Sequence, residues 1–173
     1  MFASSYKNYS KGIKNIMIKI NKEIFKKAIL AGIFSAFTIG VLTVLTYKSA
    51  LGLFIAGSFG SSMVLLFGFP ESPFAQPKNV FFGHLVTTLV GILFLNFVPL
   101  PLYIIIPLAV GFGVGLMILL NVTHPPAGGN PIIVIIGSVS FDYLFTPVIT
   151  GSIIILIFAI IINRFILKKS YPK

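Results

Sequence analysis

The chain has 173 residues and a formal net charge of +10, with 57% hydrophobic residues, 9% charged residues and no cysteine. So little charge excludes an ordinary soluble domain, in which about 25% of residues are charged. The missing cysteine excludes a disulfide framework and a thiolate metal site, and the basic residues lack the aromatic interleaving of a nucleic-acid surface, so no nucleic-acid partner is expected.

Seven of the thirteen basic residues fall between Lys7 and Lys27, and Arg164, Lys168, Lys169 and Lys173 crowd the C-terminus. Residues 1–28 read as a basic amphipathic helix. Ile13, Ile16, Met17, Ile20 and Ile24 share one face, with Lys11, Lys14, Lys22 and Lys26 largely off it. Such a helix suits the headgroup region of a bilayer, with anionic lipids as partners. The alternative is an extension that packs on neighbouring subunits. The basic stretch is too long for a cleavable signal peptide.

Residues 29–173 read as a polytopic transmembrane domain. No Asp, Glu, Lys or Arg lies between Ser49 and Pro70 or between Asn79 and Phe141, and runs of this kind are membrane-embedded. The predicted spans are Ala31–Tyr47, Leu51–Phe69, Asn79–Phe97, Leu102–Asn121, a short piece within Pro125–Ser140, and a last span from Pro147 to about Leu167. The loop Pro70–Lys78 carries three prolines that a helix interior would refuse. If residues 125–140 cross, there are six spans and both basic termini are cytoplasmic. If they dip in and return, there are five. The positive-inside rule favours six, in the cell's inner (plasma) membrane. The expected fold class is therefore an all-α membrane protein with about six transmembrane segments, two of them broken. Shifting Gly60–Gly68 by 69 residues lays it on Gly129–Gly137, so two inverted three-helix repeats are one arrangement of these spans.

The two breaks carry the candidate chemistry. Thr123–Pro131, THPPAGGNP, interrupts an apolar region, and irregular backbone at membrane depth needs protein or a water-filled cavity to satisfy it. A half-helix starting near Gly129 to Pro131, with Asn130 as cap, would present free N–H groups to an anion. Gly128 and Gly129 would let a solute approach the backbone. The partner break, Gly57–Ser62, offers the hydroxyls of Ser58, Ser61 and Ser62. Tight packing with no ligand is the competing reading of both breaks. Gly111 and Gly115 read as a packing motif. His124 enters the second break and His84 lies inside the third span. An ionisable residue there is a functional suspect, with Glu71 as a structural partner for His84. The acids and histidines show no metal-ligand or catalytic spacing, so neither enzyme activity nor a cofactor is expected.

The runs GSFGSSMVLLFGFPESPFAQPKNVFFGH, from Gly57 to His84, and THPPAGGNPIIVIIG, from Thr123 to Gly137, resemble the HPP family of integral membrane proteins. The family is named for the triplet that here is His124-Pro125-Pro126. The resemblance extends from about residue 30 to 165. It implies a small multi-span protein, and plastid and cyanobacterial relatives are associated with nitrite transport. The family is usually described with four spans; hydropathy counting passes over broken helices, so six remains the expectation. The function expected is a transporter or channel for a small inorganic anion, nitrite first, with a non-transporting membrane protein or an intramembrane enzyme as alternatives. A homo-oligomer is expected to shield the broken helices from lipid.

Overall fold

The computed structural model describes residues 22–50 and 52–173, and these are helical wherever they are regular. Residues 1–21, most of the expected interfacial helix, lie outside the described residues. Its last part, residues 22–28, forms the first two turns of α1, Lys22–Lys48. An irregular stretch, residues 52–56, then leads into α2, Gly57–Met63, which runs on through a π-helical turn, Val64–Gly68. A 3-10 turn at Pro73–Ala75 precedes α3, Pro77–Phe97, and a tight turn leads to α4, Leu102–Leu119. Another 3-10 turn, Pro125–Gly129, passes into α5, Asn130–Ile136. The last helix, α6, is regular from Thr150 to Ile160, with π-helical turns before it at Leu144–Ile149 and after it at Ile161–Ile166.

Four of these helices are long and apolar enough to cross a membrane: Lys22–Lys48, Pro77–Phe97, Leu102–Leu119 and Leu144–Ile166. Two shorter apolar helices, Gly57–Gly68 and Pro125–Ile136, stand where the sequence predicts broken spans. The last helix starts at Leu144 rather than at Pro147. Its kink lies at Thr146, whose backbone is extended just before the proline, as the ring of a following proline demands. Local rules also set the other boundaries. Ser72 caps the first 3-10 turn by accepting a hydrogen bond from the Phe74 N–H, and Pro73 and Pro77 occupy opening turns where a missing N–H costs nothing. Asn121, at φ 53°, closes α4 in the left-handed region that Asn tolerates.

The ends of the elements meet in two groups. At one end, Lys27 of α1, Phe67 and Glu71 after α2, and Leu167 and Lys169 after α6 line a cavity of about 730 Å³. Burial holds the Lys169 ammonium below its usual range, against the pull of Glu71, which raises it. Nearby, the Tyr171 hydroxyl donates to the Ala75 carbonyl at 2.8 Å, and the Lys173 N–H donates to Gln76 Oε1 at 2.7 Å. At the other end, the Phe54 N–H donates to Thr46 Oγ1 at 3.0 Å, and Gly52 lies against Thr146.

Packing is densest around α3. One core joins α1, α2 and α6 through Leu42, Phe59, Leu66, Phe67 and Ile155, with Val80 of α3 beside them. A second core joins Val90 of α3 to Ile105 and Ala109 of α4 and Ile135 of α5. Close approach to α5 is bought by glycine: a Cβ on Gly91 would stand 2.9 Å from Pro131 Cα and 3.0 Å from Val134 Cβ. Gly113 is the packing glycine of α4, while Gly111 and Gly115 face away from the fold, exposed and with nothing within 4 Å of a built Cβ. Large apolar side chains such as Phe37, Phe112 and Ile157 remain about half exposed, which suits a chain bathed in lipid.

Candidate functional site

Within this apolar body, α2, α3 and the second break bring six polar side chains together. Ser58 and Ser62 are one helical turn apart, so they share the face of α2 that meets α3. His84 lies on α3 opposite them, with Nδ1 3.4 Å from Ser58 Oγ and Nε2 3.0 Å from Ser62 Oγ. Ser62 Oγ also lies 2.8 Å from His124 Nε2. His124 reaches this point because Gly83 leaves room: a Cβ there would stand 2.8 Å from His124 Cβ. On its other side, His124 Nδ1 donates to the Phe74 carbonyl at 2.7 Å. Asn130 Nδ2 lies 3.1 Å from His84 Nδ1, 3.3 Å from the His84 carbonyl and 3.1 Å from Thr87 Oγ1. The Phe59 ring meets the His84 ring edge-on at 5.1 Å.

His84, His124, Ser62 and Thr87 have no exposed surface, and Asn130 is 3% exposed. Burying polar groups is tolerable only when they are hydrogen-bonded, and every one of these five has a partner. Thr87 Oγ1 donates to the Gly83 carbonyl at 2.8 Å, which leaves its lone pairs for Asn130. Thr88, next along the chain, has a buried hydroxyl with no partner among the described residues.

The expected site residues are thus partly united. Ser58, Ser62, His84, His124 and Asn130 form one network. Ser61 does not join it: one residue from Ser62, it turns to the exposed face of α2 with Gly57 and Gly60. Asn130 is not a helix cap. The helical run opens five residues earlier at Pro125, Asn130 has helical backbone angles, and its amide is spent on His84 and Thr87. The α-helix itself, α5, begins at Asn130 as the expected half-helix does, with Gly129 in the cap position and the 3-10 turn of the prolines leading into it. Glu71 does not partner His84; it lines the separate cavity with Lys27 and Lys169. Gly128 and Gly129 lie in the turn just before Asn130, and a Cβ on Gly129 would meet nothing within 4 Å, so the chain is open there. Thr87 and the Phe74 carbonyl are additions. Thr87 could have been suspected from its place three residues after His84 on a helix; a backbone carbonyl 50 positions from His124 leaves no signal.

Chemically, the network offers hydroxyl, amide and imidazole donors in a region without fixed negative charge, since no Asp or Glu lies between Ser72 and Phe141. Among the described residues no group of three His, Cys, Asp or Glu could hold a metal ion.

Two transmembrane proteins of Dictyostelium discoideum are each 35% identical to this chain over 142 residues, covering 76% of it. The match spans about half of those relatives, 50% and 46% of their lengths. No solved structure matches. A family model described as "HPP, transmembrane region" matches residues 21–172, nearly all of the described chain. The two long motifs that meet at His84 and His124 therefore belong to a known type of membrane domain, and the chain is a member of the HPP transmembrane family.

Proposed function

We propose that the protein moves a small inorganic anion across the membrane, nitrite being the first candidate, along a path between its two short helices. One observation carries this reading: a buried, donor-rich cluster of Ser58, Ser62, His84, His124 and Asn130 joins the two interrupted helices in a largely apolar body. Ionisable groups at membrane depth mark solute or proton pathways by default, and interrupted helices are where transporters bind their solutes. Without an interior carboxylate the cluster suits an anion better than a cation.

The same reading takes the chain through the membrane six times. Each short helix with its extended leader serves as a crossing, which makes two three-helix halves, inverted with respect to each other. The placement of Lys27 and Lys169 around one cavity supports an even number of crossings, and the basic termini favour the cytoplasmic side of a plasma membrane for that end. The exposed small residues of α2, Gly57, Gly60 and Ser61, support assembly with further copies. No bond-making chemistry is assigned to the cluster.

A structural polar core is the rival reading, and the complete burial of both histidines favours it. Flux separates the two. Purified protein in liposomes should carry nitrite faster than protein-free vesicles do, and His124→Gln and Ser62→Ala should lower that rate at unchanged protein incorporation. Rates equal to protein-free vesicles would leave the structural reading standing.

A further inference from the structure

The hydrogen bonds of the cluster run in a single direction, and that direction has a consequence. The Phe74 carbonyl can only accept, so His124 Nδ1 carries the proton facing it and His124 Nε2 is bare. Nε2 therefore accepts from the Ser62 hydroxyl, which lies 2.8 Å from it and 3.2 Å from the other acceptor in reach, the Ser58 carbonyl. At the other end, the Asn130 amide group faces the His84 carbonyl and Thr87 Oγ1, whose own proton goes to Gly83, so it presents its NH2 here. His84 Nδ1 then accepts from Asn130, and the ring proton of His84 sits on Nε2, 3.0 Å from Ser62 Oγ. The result is an unbroken chain from Asn130 through His84, Ser62 and His124 to the turn at Phe74. In it each ring and the hydroxyl accepts on one side and donates on the other.

We infer that this chain is a proton relay, and that it couples each anion, on the transport reading above, to one proton moving with it. A proton binds His84 Nδ1 and an N–H bond forms there. The Nε2 proton passes to Ser62 Oγ, and the Ser62 proton passes to His124 Nε2. The Nδ1 proton of His124 leaves on the Phe74 side, where the turn Pro73–Phe74 is exposed. One proton enters and one leaves, nothing is oxidised or reduced, and both rings end as the opposite neutral tautomer. Ser58 Oγ, 3.4 Å from His84 Nδ1, can accept from the newly formed N–H where the Asn130 amide cannot. For net transfer the starting tautomers are restored by reorientation of the two rings and the Ser62 hydroxyl, because a reverse shift would only return the proton to the side it came from.

No fixed charge competes for the proton. The elements packed on the two rings are α2, the turn Pro73–Ala75 and the stretch Pro125–Ile136, and they contain no titratable side chain. Besides His84, α3 brings only Lys78, which is exposed at its start; α4 brings Tyr103 and α6 brings Arg164, both exposed. Glu71 faces Lys27 and Lys169 instead. The titratable group facing each histidine is the other, with ring centroids 5.0 Å apart.

A one-to-one pairing of anion and proton moves no net charge. Liposomes holding the full chain should therefore take up nitrite at a rate set by the proton gradient and indifferent to a potassium-valinomycin potential. The probe is nitrite near pH 8, and the uptake of protein-free vesicles is subtracted to remove the passage of nitrous acid through lipid. Ser62→Ala, which cuts the relay, should lose the response to the proton gradient, and Ser62→Thr, which restores a hydroxyl, should regain it. Should either variant fail to insert, the wild-type measurement decides alone. Uptake that follows the membrane potential, changing about tenfold in final accumulation per 59 mV, would overturn the coupling while leaving the anion path intact. Uptake no faster than that of protein-free vesicles would overturn the anion path and the coupling with it.

Discussion

Ser62 and His124 stand 62 positions apart in the chain and 2.8 Å apart in the fold. This contact ties the first short helix to the second break, and it passes through a hydroxyl that also touches His84 at 3.0 Å. A single oxygen thus holds two imidazoles in register. Buried polar networks of this kind rigidify a core when complete and weaken it when one member is lost.

Removing that oxygen should cost both stability and flux. In Ser62→Ala, His124 Nε2 and His84 Nε2 lose their shared partner, and a buried unsatisfied group costs about 1–3 kcal/mol. Thermal melting in detergent should fall, and nitrite flux should drop at least tenfold. Ser61→Ala is the control. Its hydroxyl is on the exposed face of α2, so both quantities should stay near wild type. Equal effects of the two substitutions would place the path elsewhere on α2.

The glycines divide in the same way. Gly91→Ala drives a methyl group against the Pro131 backbone, where nothing can swing aside, and overpacking of this kind costs about 1–3 kcal/mol. Gly129→Ala meets open space and should be tolerated. Gly129→Leu should fill that space and block flux while the protein still inserts. Melting curves for the alanine variants and flux for the leucine variant check the three expectations. Flux at wild-type level in Gly129→Leu would remove this turn from the pathway.

How much of this was legible beforehand depends on the range of the interaction. The four long helices follow from runs without charge, and both breaks announce themselves through glycine, serine and proline. His84 and His124 stand out because ionisable residues are rare at such depth. Their meeting was not legible, because it depends on Gly83 admitting His124, a contact between residues 41 positions apart on different elements. Ser61 was misplaced for a simpler reason. Three serines in a short stretch look equivalent in sequence, yet a helix turns about 100° per residue and sends one of them outward. Asn130 looked like a cap because its own chemistry suits one; Gly129 holds the cap position and Asn130 is the first residue of the helix.

Topology can be checked without flux. Lys22 and Lys173 are exposed residues at the two ends of the described chain, and Asp142 is exposed in the turn before the last helix. With six crossings, cysteines introduced at positions 22 and 173 should both resist an impermeant thiol reagent in intact cells, whereas one at position 142 should react. Reaction at only one of positions 22 and 173 would require an odd number of crossings.

Outside the membrane-spanning helices, Tyr171 offers a test by pH. Its ring is 2% exposed and its hydroxyl donates to the Ala75 carbonyl, so the C-terminal tail is pinned to the turn that carries Phe74. Burial pushes the phenol above its ordinary value, which is about 10. The sign follows from linkage: the folded tail holds the phenolic proton more tightly than the unfolded tail does. That contribution is complete below pH of about 10 and declines as pH rises through the folded value, by at most about 1.4 kcal/mol per pH unit. Difference absorbance of phenolate between wild type and Tyr171→Phe should therefore show Tyr171 ionising well above pH 10. Between pH 9 and 11 the wild type should lose more thermal stability than Tyr171→Phe, which starts about 1 kcal/mol lower for want of the hydrogen bond. Ionisation of Tyr171 at an ordinary pH would mean that the tail is not held against Ala75 in the membrane-embedded protein.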